Sequence, residues 1–512
     1  MLDLSLMLAA FADVFTPTNI MFILGGVILG QIVGAIPGLS IIMALAIAVP
    51  LTYGMDTLAA IAFLISVNKG GTVGGAVPAI LLNVPGSAES AATTMDGHPM
   101  AKNGKPLKAM KYALYHSVTG DLASDIVLIL LAAPLAVVAL NMGPVEITAL
   151  MILAFTVISG LVGDSMIKGL ISAAFGILVA TVGLDPGMAT PRFTFGVLEL
   201  YDGVPLTAVS IGALAMSGVL VGLLSMRGSD QKTQSSAISM KGRTREQSVV
   251  TFAEYWANRF VAVRAFFIGT VIGAIPGLGS TTAGFLSYSV NKQAAKDPEA
   301  FGTGDPRGIA ASETANSAVV GANLIPLLTL GIPGNIAAAL LVSAFIIHGI
   351  QPGPLLFEQQ AQLVYGMFGA MLVANFCNLG VGQIGMRFWA MVVSAPGTVI
   401  YPAAMLLCFA GSFVITGASF GVYVMIVSAI FGYMMRAFGY SIVAFIVAFL
   451  LTPQLEGAVV RARLITNDDP AALLSHPIAL ALIAMSIGSI IYLGPRKKKK
   501  PLDGDLQAPT GQ

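Results

Sequence analysis

Charge is what this chain has least of. Of its 512 residues only 10% are Asp, Glu, Lys or Arg, while 56% are hydrophobic. An ordinary soluble domain carries about 25% charged residues. So little charge cannot cover a water-exposed surface, which excludes a soluble enzyme and a nucleic-acid binder and leaves a polytopic membrane protein. Cysteine is nearly absent: Cys377 and Cys408 both sit in apolar runs, make no metal or redox motif, and are expected to pack as small hydrophobes. No Lys or Arg precedes Lys69, so a cleaved secretory leader, which needs a basic start, is not expected. No H-E-x-x-H and no G-x-x-x-x-G-K-[ST] occurs, and the four histidines are scattered. The expectation is therefore no enzyme, no cofactor and no nucleic acid. No metal-ligand set can be assigned.

What is there is apolar sequence from Ile20 to Leu493, interrupted by a few polar stretches. Short alternating strands, the mark of a β-barrel, are missing, so a helical bundle in a bilayer is expected. The longest polar stretch, Arg227–Asn258, is rich in Lys and Arg and reads as a cytoplasmic linker. The run Arg496-Lys-Lys-Lys-Lys500 reads as cytoplasmic by the same rule. The domain reading is a first transmembrane repeat over 1–226, a linker over 227–262, a second repeat over 263–495 and a basic tail over 496–512.

The two halves repeat. Gly34-Ala-Ile-Pro-Gly-Leu39 returns as Gly273-Ala-Ile-Pro-Gly-Leu278, 239 residues on (Pro37 to Pro276). Asn68, Pro78 and Pro85-Gly86-Ser87 return as Asn316, Pro326 and Pro333-Gly334-Asn335, 248 residues on (Pro85 to Pro333). The loop after the second motif carries Lys102, Lys105, Lys108 and Lys111 in the first half, but only Glu358 among charged residues in the second. After the first motif the signs swap, from acidic Thr52–Asp56 to Lys292, Lys296 and Arg307. Opposite loop charges predict inverted repeats, a recurring transporter architecture. Ile20–Pro50 is too short for two full spans and predicts a re-entrant hairpin turning at Pro37-Gly38, with Val263–Val290 turning at Pro276-Gly277; two tilted short spans are the alternative. The remaining spans, near 57–84, 113–141, 145–163, 168–184, 205–226, 313–346, 363–386, 390–411, 415–435, 440–453 and 477–494, make about eleven crossings. The fold class is thus an all-α polytopic membrane protein with two inverted repeats, about 11 transmembrane helices and two re-entrant hairpins.

A helix broken inside a membrane frees backbone groups that must be buried or face a wet cavity. Freed N-terminal amides attract anions and freed carbonyls can hold Na⁺. The breaks at Pro85-Gly86 and Pro333-Gly334, with the two hairpin turns, could therefore surround one midplane substrate site. Small polar residues follow them: Ser40, Ser87, Ser280, Thr281, Thr282 and Asn335. A second candidate cluster is Asn68-Lys69-Gly70-Gly71 with Asn316-Ser317. Lys69 in an apolar run reads as an anion-binding cation; snorkelling, or pairing with Glu313, is the alternative. Asp121 and Asp125 are expected near helix ends as solvated or capping residues.

Gly34–Leu39, Pro78–Gly86, Asp96-Gly-His-Pro-Met100, Gly183-Leu-Asp-Pro186, Arg192-Phe-Thr-Phe-Gly196, Gly331-Ile-Pro-Gly334 and His348–Phe357 together resemble the large membrane subunit of tripartite tricarboxylate transporters, the TctA family. The resemblance runs from about Gly25 to Pro477. It implies a bacterial inner-membrane importer of carboxylates. Its implied partners are a small four-helix membrane subunit and a periplasmic solute-binding protein, and its coupling ion Na⁺ or H⁺. The chain departs from the family at Asn68-Lys69-Gly70-Gly71, where an aromatic-Gly-Gly is frequent, and at Asn316-Ser317, where paired Asn is frequent. An anion channel or exporter working without a binding protein is the rival reading.

Overall fold

A computed structural model describes residues 4–36, 39–161, 165–185, 189–228, 244–393, 397–416 and 419–493. Pro37 and Gly38, most of the linker's basic stretch (229–243) and the tail lie outside the described residues. The first half contains α1 (Leu4–Val14), α2 (Pro17–Gly34), α3 (Ile41–Leu51), α4 (Thr57–Leu82), α5 (Thr94–Lys102), α6 (Pro106–Leu140), α7 (Pro144–Leu161) and α8 (Met166–Ala180). Next come α9 (Leu206–Ser210) and α10 (Ser217–Gly228), joined by a π-helical stretch Ile211–Met216, then α11 (Arg245–Ser248) and α12 (Phe252–Ala257). The second half contains α13 (Arg259–Ala274), α14 (Gly279–Gln293), α15 (Pro306–Ala322), α16 (Leu324–Leu330), α17 (Ile336–Ile347), α18 (Leu356–Gln359) and α19 (Ala361–Val392). It ends with α20 (Gly397–Thr416), α21 (Ser419–Ala437), α22 (Ile442–Thr466) and α23 (Pro477–Leu493).

Seven of the described helices are long and apolar enough to cross a membrane, and further apolar helices are shorter. The only described sheet is a two-residue antiparallel pair, β1 (Gly183–Leu184) on β2 (Pro191–Arg192). The chain is thus an all-α membrane protein. The β-pair positions Arg192, whose guanidinium donates to both carboxylate oxygens of Glu456 on α22 at 2.9 and 3.0 Å. The span expected near 440–453 runs on through Gln454–Thr466 as part of α22.

Local chemistry sets the helix ends. Asp56 caps α4 by accepting from the Leu58 N–H at 3.2 Å, and Asn83 ends it in the left-handed conformation at φ 58°. The equivalent stretch of the second half, 248 residues on, is interrupted: α15 stops at Ala322, α16 runs seven residues, and Gly331 ends it at φ 73°. The span expected over 313–346 is therefore three helices. Hydropathy could not show this, because a break buried among protein costs no apolar residues. α3 has 11 residues and α17 has 12. At 1.5 Å per residue each covers roughly half of a ~30 Å bilayer core.

The halves pack alike. A methyl on Gly30 of α2 would stand 2.2 Å from the Val67 carbonyl of α4, and one on Gly269 of α13 would stand 2.2 Å from the Ala315 carbonyl of α15. The glycines let the backbones touch, and no larger residue fits. Gly34 against the Gly71 carbonyl and Gly273 against Val319 continue the two seams. Gly70-Gly71 stays helical within α4, with Gly70 pressed on Val27 and Gly71 on Ile41. These seams run α2 parallel to α4 and α13 parallel to α15. α6 of the first half lies along α15, with Gly120 against the Thr314 carbonyl and Gly321 against Asp125.

Candidate functional site

Helix breaks from both halves converge on one cavity of about 230 Å³. That is below the roughly 300–1,000 Å³ of drug-sized sites, so it suits a small solute. Ser40, Ser87, Ser280, Thr281 and Asn335 line it with Gly277, Leu278 and Gly279; Ile41, Ile42, Ile336 and Val443 complete an apolar wall. Three helices begin here: α3 after Ser40, α14 at Gly279 and α17 after Asn335. Each start leaves first-turn N–H groups without intrahelical partners. Ser40 Oγ accepts from the Met43 N–H at 3.2 Å and Asn335 Oδ1 from the Ala338 N–H at 2.8 Å. Ser87 Oγ is buried and has no hydrogen-bond partner. Among the described residues, no Lys or Arg lines the cavity, and Glu89 is the one acidic residue on its wall.

The Pro-Gly elements form the backing of this cavity. The Gly86 N–H donates to the Gly75 carbonyl at 3.2 Å, and the Gly277 N–H donates to the Gly334 carbonyl at 2.8 Å. A methyl on Gly86 would meet the Gly75 Cα at 3.0 Å, and one on Gly334 would meet the Asn323 Cα at 3.1 Å. Asn323 stands 248 residues after Gly75, so the repeated proline motif makes a repeated backbone contact. Pro85 and Pro333 lie in the breaks just ahead of these glycines, and Pro276 in the turn between α13 and α14. The turn assigned to Pro37-Gly38 lies outside the described residues, although α2 ends at Gly34 and α3 begins at Ile41 on either side of it.

The second cluster is elsewhere. Lys69 does not line the cavity; its Nζ lies 2.7 Å from Asp121 Oδ1 and 2.8 Å from Asp125 Oδ2. Its ammonium partners are neither solvent nor Glu313. Asp121 and Asp125 are buried at the middle of α6, not solvated at its ends. Their i, i+4 spacing inside an apolar run was the signal available in sequence. Asn68 lies buried on α4, its carbonyl accepting from Thr72 Oγ1 at 3.1 Å. Asn316 reaches the cavity wall indirectly, donating to the Glu89 carbonyl at 3.3 Å, and accepts from Ser317 Oγ at 3.2 Å. Glu313, one turn earlier, is buried and accepts from Thr93 Oγ1 and, at 2.6 Å, from Ser117 Oγ. Glu89 and Asn375 were not singled out from the sequence, because only tertiary packing gives them a place.

Residues 20–447 match the tripartite tricarboxylate transporter TctA family. The chain belongs to the TctA family. Two proteins of Agrobacterium vitis are similar to it. One, an uncharacterized 52.8 kDa protein in the TAR-I ttuC' 3' region, is 32% identical over 488 residues, 94% of both chains. The other, an uncharacterized protein in the TAR-II ttuC' 3' region, is 35% identical over 223 residues, 44% of this chain and 92% of its own. No solved structure matches. As a TctA-family protein the chain is a transporter's membrane subunit, and its long apolar helices are those of a multi-pass membrane protein.

Proposed function

We propose that this chain is the large membrane subunit of a binding-protein-dependent secondary importer of di- or tricarboxylates in a bacterial inner membrane. Its partners are a periplasmic solute-binding protein and a small four-helix membrane subunit. A cation gradient, of Na⁺ or H⁺, drives uptake.

The observation that carries this reading is the cavity into which α3, α14 and α17 begin, beside the unpartnered hydroxyl of Ser87. Helix N-termini carry about +0.5 charge each and offer free amides, so they bind carboxylate without a buried lysine. Ser40, Ser87, Ser280, Thr281 and Asn335 supply hydrogen bonds, with the breaks at Pro85-Gly86, Pro276-Gly277 and Pro333-Gly334 holding them.

Two inverted repeats of about eleven crossings with two re-entrant hairpins suit this site. Lys69 of α4 meets the middle of α6, while Ile80 shares a small cavity with Met110, so those helices run antiparallel. α6 runs parallel to α15, the counterpart of α4, and the counterparts therefore oppose one another. The repeats would occupy 1–226 and 263–495.

The test is uptake of radiolabelled di- and tricarboxylates by cells carrying all three components. Saturable uptake that stops when the binding protein is omitted is expected. No uptake of any organic anion across a broad panel, or flux in vesicles needing neither binding protein nor cation gradient, would overturn the reading.

A further inference from the structure

The cluster around Lys69 holds one acid more than it holds cations. Lys69 and Asp125 are wholly buried and Asp121 nearly so. Asn375 Nδ2 donates to Asp125 Oδ2 at 2.7 Å, and Lys69 Nζ donates to Asn375 Oδ1 at 3.3 Å. Lys69 sits at the midpoint of the 26-residue α4, Asp121 and Asp125 at that of the 35-residue α6, and Asn375 at that of the 32-residue α19. All three are among the described helices long and apolar enough to cross a membrane.

Among the described residues, no neighbouring helix brings a second cation to the cluster. α2 presents Gln31 and has no titratable residue, nor has α16. α15 presents Gly321 to Asp125, and its Glu313 accepts from Ser117, one turn before Asp121 on α6. α19 contributes Asn375 and Asn378, the latter donating to the Lys69 carbonyl at 3.0 Å, and Cys377 one position away is half-buried among apolar residues. Asp125 Oδ1 is buried without any hydrogen-bond partner. A net negative charge buried among these helices is costly, and a single proton on the aspartate pair removes it. A metal ion is disfavoured because the Lys69 ammonium already fills the space between the carboxylates.

We propose that the Lys69–Asp121–Asp125 cluster binds one proton, and that this proton is the coupling cation of the importer proposed above, on which this inference rests. Water delivers the proton, an O–H bond forms on the aspartate pair, and the proton later leaves to water on the other side; nothing is oxidised or reduced. α15 links the cluster to the cavity. Gly321 abuts Asp125, and two residues on Asn323 abuts Gly334, beside cavity-lining Asn335. Protonation changes the charge at the α6–α15 contact and so acts on the helix that backs the cavity.

The test has two arms. Infrared spectra of the purified full-length chain in lipid at pH 7 should show a protonated-carboxyl stretch that is lost in Asp125→Asn and in Asp121→Asn, whatever bands other buried acids contribute. Spectra unchanged in both variants would overturn proton binding, whatever the protein transports. In cells carrying all three components, Asp125→Asn should lose concentrative uptake while retaining counterflow exchange of the carboxylate that the wild type accumulates. Asp121→Asn should do the same, and serves if Asp125→Asn fails to reach the membrane. Accumulation at the wild-type level in either variant overturns the coupling role. A wild type that takes up no carboxylate sinks the importer reading and the coupling role with it, while the infrared arm still decides proton binding.

Discussion

Gly277 donates its backbone N–H to the carbonyl oxygen of Gly334 at 2.8 Å, tying the turn between α13 and α14 to the break between α16 and α17. Neither residue offers a side chain, yet this bond sets the distance between two helix starts that face the same cavity. Contacts of this kind make the site a matter of backbone geometry.

Adding a methyl group to that backing should therefore be costly. A Cβ on Gly86 would fall 2.1 Å from the Gly34 carbonyl and 3.0 Å from the Gly75 Cα, both fixed in helices. Gly86→Ala is expected to destabilise by about 1–3 kcal/mol, the range for overpacking. Thermal unfolding in detergent measures it, with Gly25→Ala, whose Cβ would meet nothing within 4 Å, as the control. Equal melting of the two variants would contradict the packing.

Charge in the cavity can be changed without losing a helix cap. Asn335 caps α17 through the Ala338 N–H, and Asp caps as well as Asn. Asn335→Asp should leave stability near wild type and place a carboxylate beside the bound anion. At about 4 Å and an effective dielectric near 20 that repulsion is about 4 kcal/mol, roughly a thousandfold in affinity. Uptake kinetics check it; an unchanged KM would remove Asn335 from the anion's surroundings.

Lys69 is the counter-charge of two buried acids. Lys69→Met leaves Asp121 and Asp125 facing each other without it, at an expected cost of about 3–5 kcal/mol. Adding Asp121→Asn and Asp125→Asn to the same chain should restore most of the folded yield. A Lys69→Met protein as stable as wild type would contradict this pairing.

The docking of α12 on α6 should be acid-sensitive. Burial works against the ionised Glu254 carboxylate, but hydrogen bonds from Lys108 and from Thr251 hold it below the usual glutamate value of 4.5. A carboxylate with a depressed native value stabilises above the unfolded value, and that contribution is lost as pH falls through the folded one. Trp256, two residues on, is half-exposed on the same helix. Its fluorescence, read in a Trp389→Phe background, should change only below about pH 4.5, and Glu254→Gln should show the acid spectrum at pH 7. A flat pH profile would refute the contact.

Much of this protein follows from its order of residues alone. The scarcity of charge committed it to a bilayer, because a solvated surface could not be made from so few ionised groups. The twice-written proline-glycine motifs put breaks where helices must stop, and small polar residues after them made helix caps at Ser40 and Asn335. Tertiary structure decided what those pieces face. Lys69 reads as a lone cation in one dimension and is a paired one in three, because Asp121 and Asp125 lie more than fifty residues away on another helix and Asn375 in the other half. Likewise the segment after Glu313 has hydropathy enough for one span, and besides the break written at Pro333-Gly334 packing adds a second at Asn323. A backbone break costs little where neighbouring chains supply the missing partners, and no single segment's composition records who its neighbours are.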